Sequence, residues 1–338
     1  MKLALDAMGG DSSPEERVKG ALLAVKELDV EVALVGPEDV IAAELAKHPR
    51  DPRISIVNSA DAISMEEDEI VRTVRRSRDA STYVAMELVK CGEVAGMVSA
   101  GNTGAVMATA FLSLGRIEGI ERPAVALVLV YNTGRVLLID TGANIDCRPN
   151  HLLQFGQMGS VYMQKVFGIA RPRVGLLSNG EEPTKGNELV LGAHERLRES
   201  DLNFIGNIEG THVHQGLIDV LVADGFTGNI ALKAGEGIAD YIIQQVTAAI
   251  KSRPWLLVAG VILKPAIKKR LSSMQYQETG GAVLLGVDGI VVIAHGRSNA
   301  IAIKNALKVA KVAADHKLME TMRASFSRQP KTTPPATS

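Results

Sequence analysis

Short apolar runs recur along the chain, each closed by a polar, glycine-bearing stretch and then by a segment of helical period. Residues 3–5 form the first run, ending in Asp6-Ala7-Met8-Gly9-Gly10-Asp11. Ser13-Pro14-Glu15-Glu16 then supplies a capping hydroxyl, a first-turn proline and acids at the positive end of a helix predicted to reach about Leu28. Strands are predicted at 31–35 and 53–57 with a helix at 40–47 between them. This β-α-β-α-β alternation predicts a parallel sheet covered on both faces. Further strands are predicted at 94–99, 124–130, 135–140, 173–177, 203–206, 220–223 and 290–294. Helices are predicted at 80–90, 105–114, 150–166 and 187–199, from Ile230 to about Ile250, and last to about Lys317. Asn132-Thr133-Gly134 marks a hairpin between the strands at 124–130 and 135–140, so the sheet is expected to be mixed. The stretch 280–289 reads only as glycine-rich.

Composition changes this picture little. A chain of 338 residues suits two domains or one two-lobed domain. Aromatics are 4%, so the core is expected to be Leu, Val, Ile and Ala. The net charge of −1 gives no global attraction to nucleic acid. Cys91 and Cys147 lie far apart in sequence, without a C-x-x-C pair or zinc spacing, and are read as reduced thiols. The N-terminus enters a strand directly, so no signal peptide is expected. Charge does gather locally. Residues 65–78 carry acids and then Arg72, Arg75, Arg76 and Arg78, a solvated helix face or a surface for an acidic partner. In 251–271 an apolar stretch holding the only tryptophan is flanked by Lys251, Arg253, Lys264, Lys268, Lys269 and Arg270. It is too short to cross a bilayer and fits either an interfacial segment or a subunit interface. Residues 326–338 read as a proline- and threonine-bearing disordered tail.

The chain lacks several familiar chemistries. It has no G-x-S-x-G elbow, no H-E-x-x-H, and no G-x-G-x-x-G after a strand. The loop 178–188 resembles a Walker loop only superficially. Lys185-Gly186 is in the wrong order, and Glu181 and Glu182 would face the phosphates. His212 and His214 have no carboxylate cluster in sequence, and nothing nearby activates Cys147. What remains is a set of strand-end loops at 6–11, 99–104, 140–144, 178–187, 224–229 and 295–299, expected at one sheet edge. Any one of their residues is explained as a cap or a turn. Six together point to a cleft for an anionic ligand held by backbone N–H groups.

These loops carry a resemblance. Asp6-Ala7-Met8-Gly9-Gly10-Asp11, Ser99-Ala100-Gly101-Asn102-Thr103-Gly104-Ala105, Lys185-Gly186-Asn187-Glu188-Leu189, Asn203-Phe204-Ile205-Gly206-Asn207, Asp224-Gly225-Phe226-Thr227-Gly228-Asn229 and Ala294-His295-Gly296 occur in this order. Together they resemble the bacterial phosphate acyltransferases of phospholipid synthesis (the PlsX family), over about residues 1–316. The resemblance implies an α/β fold, a Rossmann-like doubly wound and mostly parallel sheet in two lobes. This is the architecture of isocitrate and isopropylmalate dehydrogenases and of phosphotransacetylases. It implies one catalytic domain over 1–325 with a protruding helical tip at about 238–275. The reaction implied is transfer of a long-chain acyl group from acyl-[acyl-carrier protein] to inorganic phosphate. The acyl phosphate would pass to a membrane glycerol-3-phosphate acyltransferase. The resemblance also implies a cytoplasmic homodimer, peripherally associated with the inner face of the membrane, with no cofactor, no metal and no nucleic acid.

Within that reaction the sequence offers Lys185 for charge at the phosphate or oxyanion, Asn229 as a neutral donor and His295 as proton donor to the leaving thiolate. The expected phosphate and substrate contacts are Asp6, Gly9, Gly10, Asp11, Ser99, Gly101, Asn102, Thr103, Gly104, Asn144, Asp224, Gly225, Thr227 and Gly228. Trp255, Leu256, Leu257, Ile262 and Leu263 are the expected membrane contacts. The chain departs from the family's Arg-Arg-Lys-Lys-Asp-Ser-Ser helix, having Arg75-Arg76-Ser77-Arg78-Asp79-Ala80-Ser81, and it has Thr141 where valine is usual. Two rival readings stand beside this one: a coenzyme A-dependent short-chain phosphotransacylase, and a non-catalytic anion-binding scaffold at the membrane.

Overall fold

Val, Ile, Leu and Ala fill most positions of the central strands because both faces of the sheet are covered there. In β1 (Lys2–Asp6), Leu3 and Leu5 pack into one buried cluster and Ala4 into another, the two-residue alternation of a strand. The structure, a computed structural model, describes residues 1–11, 14–64, 67, 69–251 and 280–327. After β1 come α1 (Pro14–Leu28), β2 (Glu31–Gly36), α2 (Glu38–Leu45) and β3 (Ile54–Asn58). Next are α3 (Ile70–Arg76), α4 (Ser81–Lys90), β4 (Met97–Ser99) and α5 (Thr103–Ser113). A hairpin follows, β5 (Ala124–Tyr131) and β6 (Gly134–Ile139), and then α6 (Pro149–Phe167), β7 (Arg173–Leu177), α7 (Glu188–Arg198) and β8 (Asn203–Ile208). The chain continues through β9 (Val220–Val222), α8 (Gly225–Lys251), β10 (Ala282–Leu285), β11 (Val291–Ile293), α9 (Ala300–Asp315) and α10 (Leu318–Phe326).

All eleven strands join one sheet in the order β3-β2-β1-β4-β11-β10-β5-β6-β9-β7-β8. Strands β1 to β4 and β11 are mutually parallel, and so are β6 to β9. Between the two blocks, β10 pairs antiparallel with both β11 and β5, and β5 pairs antiparallel with β6. The fold is thus mixed α/β with two parallel blocks of opposite direction.

This topology corrects one expectation. The loops 6–11, 99–104 and 295–299 close strands of the first block. The loops 140–144, 178–187 and 224–229 close strands that run the other way. They do not share a single sheet edge. A sheet twists by roughly 20–25° per strand step, so the five steps from β4 to β9 rotate the strands by roughly 100–125°. That rotation offsets much of the reversal and lets loops of both blocks face one space.

Two other elements differ from the expected ones. Helix α8 starts at Gly225 and not near Ile230, because Asp224 caps it. Its carboxylate accepts from Thr227 N at 2.9 Å and from Thr227 Oγ1 at 2.7 Å. Strand β10, hidden in the glycine-rich stretch, forms because Gly280, Gly281 and Gly286 at its ends turn the backbone through positive φ. The expected membrane contacts Trp255, Leu256, Leu257, Ile262 and Leu263, with most of the expected tip, lie outside the described residues. So do residues 328–338 of the expected tail.

Candidate active site

Two buried aspartates organise the strand-end loops. The Asp6 carboxylate, at the end of β1, accepts five hydrogen bonds. Met8 N (3.1 Å), Gly9 N (3.0 Å) and Ser81 Oγ (2.7 Å) donate to Oδ1; Thr82 Oγ1 (2.7 Å) and Ser99 Oγ (2.6 Å) donate to Oδ2. It therefore ties the 6–11 turn to the start of α4 and the end of β4. Ser99 Oγ in turn accepts from Gly101 N at 3.0 Å. Arg17, fully buried on α1, closes the group: its Nη2 donates to Gly9 O at 2.5 Å and reaches Gly296 O at 3.4 Å. Asp11 N donates to the same Gly296 carbonyl at 2.9 Å. A Cβ on Gly10 would lie 1.9 Å from Arg17 Nη2, and its φ is +104°, so only glycine fits there. His295 is exposed at the end of β11, and its Nδ1 accepts from Arg297 N at 3.1 Å.

Asp140 plays the same part at the end of β6. Val125 N, Gly142 N and Ala143 N donate to Oδ1 at 3.0, 3.1 and 2.9 Å, and Asn144 N and Nδ2 donate to Oδ2 at 2.7 and 2.8 Å. Burial pushes its pKa up, and the donors from Ala143, Asn144 and Val125 oppose that shift. The loop it shapes docks on the first turn of α8. Gly225 N donates to Asn144 O at 2.8 Å, and a Cβ on Gly142 would meet Asn229 Cγ at 3.8 Å. The N-terminus of α8 and the half-buried Asn229 therefore sit beside the 140–144 loop. In the loop that follows the neighbouring strand β7, Lys185 is exposed, with its stem over Gly180.

The two groups meet at a cavity of about 910 Å³. Gly104, in the first turn of α5, lines it from one block, and Ala143 and Asn144 line it from the other. Helix α5 is capped there by Asn102 Oδ1, which accepts from Ala105 N at 3.1 Å. The cavity thus runs between one capped helix N-terminus and a loop docked on another, the placement in which backbone N–H groups hold an anion. A second cavity of about 550 Å³, lined by Gln157, Arg196, Asn203 and Phe326, lies against the amino ends of β7 and β8 and receives none of these loops. Cys147, whose Sγ donates to Asn144 O at 3.6 Å, is held in its thiol form. Burial, then the charges of Asp140 and Asp224, push its thiol up to about 12.

Residues 1–321 match the model of a family described as fatty acid synthesis protein. A phosphate acyltransferase of Pelotomaculum thermopropionicum is 49% identical over 327 residues, 96% of this chain and 95% of the relative. One of Heliobacterium modesticaldum is 48% identical, covering 92% of this chain and 93% of its own length. The chain belongs to this phosphate acyltransferase family. It is an acyltransferase. The fold is also that of a phosphotransacetylase from Streptococcus pyogenes, with a TM-score of 0.62 at 20% identity over 95% of this chain and 94% of that one. The phosphotransacetylase EutD of Staphylococcus aureus gives 0.61 at 16% identity over 94% of each chain.

Several expected substrate contacts take another role in this acyltransferase fold. Both oxygens of Asp6 are taken by protein donors, and Asp6 and Ser99 are fully buried, so their side chains tie the strand-end loops together. Asp224 spends its carboxylate on the α8 cap, and the Asn144 amide donates to Pro123 O and Asp140. Gly104 opens on the cavity, and Asn229 stands beside the 140–144 loop that lines it. Lys185 shares the second block's loops with Asn229, whereas His295 belongs to the first block. Arg17, Ser81 and Thr82 were not legible as site residues. An arginine in a helix and a Ser-Thr pair at a helix start carry no local mark of a partner far along the chain.

Proposed function

We propose that the protein transfers a long-chain fatty acyl group from acyl-[acyl-carrier protein] to inorganic phosphate, giving acyl phosphate and the free carrier thiol. The observation that carries this reading is a cavity bordered by the N-terminal turn of α5 and the loop docked on α8, with no activated nucleophile beside it among the described residues. Direct attack by phosphate needs none. A phosphate oxygen adds to the thioester carbonyl, the tetrahedral oxyanion collapses, the C–S bond breaks, and the thiolate takes a proton. The protein's part is to hold a dianion, stabilise the oxyanion and supply that proton. Backbone N–H groups at the start of α5, around Thr103 and Gly104, bind the phosphate, with Gly9, Gly10 and Asp11 near this cradle, while the N–H groups of Gly101, Gly225, Thr227 and Gly228 are spent on Ser99, Asn144 and Asp224 and hold the loops in place. Lys185 adds charge at the phosphate or oxyanion, Asn229 donates to it, and His295 protonates the thiolate. The acyl phosphate goes to a membrane glycerol-3-phosphate acyltransferase. Trp255, Leu256, Leu257, Ile262 and Leu263 place the enzyme on the inner face of that membrane.

The test is one incubation of purified protein, palmitoyl-[acyl-carrier protein] and phosphate, with hydroxylamine to trap acyl phosphate as its hydroxamate. Product is expected from the carrier-protein thioester. Removing one oxyanion donor typically costs about 10²–10³ in kcat, so Asn229→Ala and Lys185→Ala should each lose about that much. No hydroxamate from either the carrier protein or palmitoyl-coenzyme A would end the enzymatic reading. Product from short-chain acyl-coenzyme A alone would favour the short-chain phosphotransacylase. In the same preparation, replacing Leu256 and Leu257 by aspartate should release the protein from phospholipid vesicles. Unchanged vesicle binding would sink the membrane assignment.

A further inference from the structure

We propose that the outer part of the 910 Å³ cavity is the acyl-chain groove and that α5 sets the chain length the enzyme accepts. This rests on the acyl-transfer reading above. The inner end, at Gly104 and Asn144, is where the thioester would react. From there Met107, Phe111 and Leu112 of α5 extend the wall one turn after another, with Ile70 of α3 packed over Gly104 and Leu284 of β10 also lining the space. Phe111 and Leu112 are 48% and 43% exposed, an apolar strip that water covers poorly. Arg116 stacks over the Phe111 ring, 5.6 Å from its centroid, and also donates to the Glu121 carbonyl, which fixes the ring at the outer end.

The rim suits a chain delivered by an acidic carrier. Arg75, Arg116, Arg122 and Arg148 line the cavity, with Glu121 the one acidic residue among its described lining. That carboxylate is already engaged by Arg148 at 3.5 Å, His151 at 3.1 Å and Asn150 at 2.6 Å. Arg75 and Arg122 enter no ion pair among the described residues. Cationic heads at the mouth steer an anionic donor, while their stems extend the apolar wall.

Each methylene buried is worth roughly fourfold in binding. Blocking the groove should therefore penalise long chains and spare short ones. In the hydroxamate assay, Met107→Trp is expected to lower the ratio of palmitoyl to butyryl kcat/KM at least tenfold, and Met107→Leu to keep the wild-type ratio. An unchanged ratio in folded Met107→Trp overturns the groove. A second readout is independent of turnover. A sixteen-carbon fatty acid with a terminal diazirine, photolysed with the wild-type protein, should place its adducts within α5 and be displaced by palmitate. Adducts only elsewhere, or none, overturn the proposal. Adducts on α5 from a protein that forms no hydroxamate would leave the groove standing and refute the reaction instead.

Discussion

Gly228 shows how tightly the second loop group is drawn together. It lies in the first turn of α8, where glycine to alanine ordinarily favours a helix by about 1 kcal/mol. Here an added Cβ would sit 1.9 Å from the Asp140 carbonyl oxygen, a backbone atom held in place by the five donors on the Asp140 carboxylate. The loop or the helix must move, and overpacking of this kind costs about 1–3 kcal/mol. The sign of the substitution therefore reverses. Gly228→Ala is expected to lower the urea midpoint by a corresponding amount. It should also cut turnover, because the α8 N-terminus and Asn229 shift away from the 140–144 loop. A midpoint that rises would show the contact to be yielding. Asp6 illustrates the same economy of role. Its five donors make it a joint among three segments.

The elements that matter most begin with a cap. Asn102, Asn187 and Asn299 each accept from a backbone N–H of the helix they start, and Asp224 does the same for α8. This is why the strand-end loops were legible in the sequence: glycine, asparagine, aspartate and threonine act on their immediate neighbours. The start of α8 was misplaced because Gly-Phe-Thr-Gly-Asn has the composition of a turn, and only the cap and the docking of the 140–144 loop make it helical. Helix α6 has a different start, and it titrates. His151 accepts from Arg148 N at 3.1 Å through Nδ1, and its Nε2 lies 3.1 Å from Glu121. Burial lowers its pKa from the ordinary 6.5, with Arg148 and Arg122 lowering it further and Glu121 opposing. A depressed pKa means the folded protein binds the proton less readily than the unfolded chain. Stability is then full above about 6.5 and declines as pH falls through the lower folded value. Denaturation series at several pH values should show this decline in the wild type and a flatter profile in His151→Gln. Identical profiles would place the acid sensitivity elsewhere.

On the scale of the whole molecule, the reversal of strand direction across β10 and β5 could not be read locally. Strand β10 follows β11's block in space but runs against it, and its pairing with β5 joins residues more than 150 positions apart. Of the rim arginines, Arg75 stood out in the charged run 65–78, but Arg116, Arg122 and Arg148 were hidden for the same reason, since they come from the 116–122 connection and the approach to α6. The helix α8 raises the last question of assembly. Only Gly225 and Gly228 of its 27 residues are buried. Beyond the first turn it exposes Ile230, Ile238, Ile242 and Val246 at four-residue multiples, a row that winds around the helix, with Tyr241 beside them, each between 42% and 62% exposed. Beyond the docked first turn and Leu232 this helix has little tertiary support, and an exposed apolar surface of this length is the kind that a partner covers. A second copy of the chain would supply the cover through a two-fold contact, which repeats the same patch on both sides. Light scattering coupled to size exclusion should then give twice the mass of the 338-residue chain for the wild type and the single-chain mass for Ile238→Glu/Ile242→Glu. Circular dichroism would confirm that the variant stays folded. A wild type of single-chain mass at every concentration would instead assign the row to another occupant, such as the chain's own 252–279 segment.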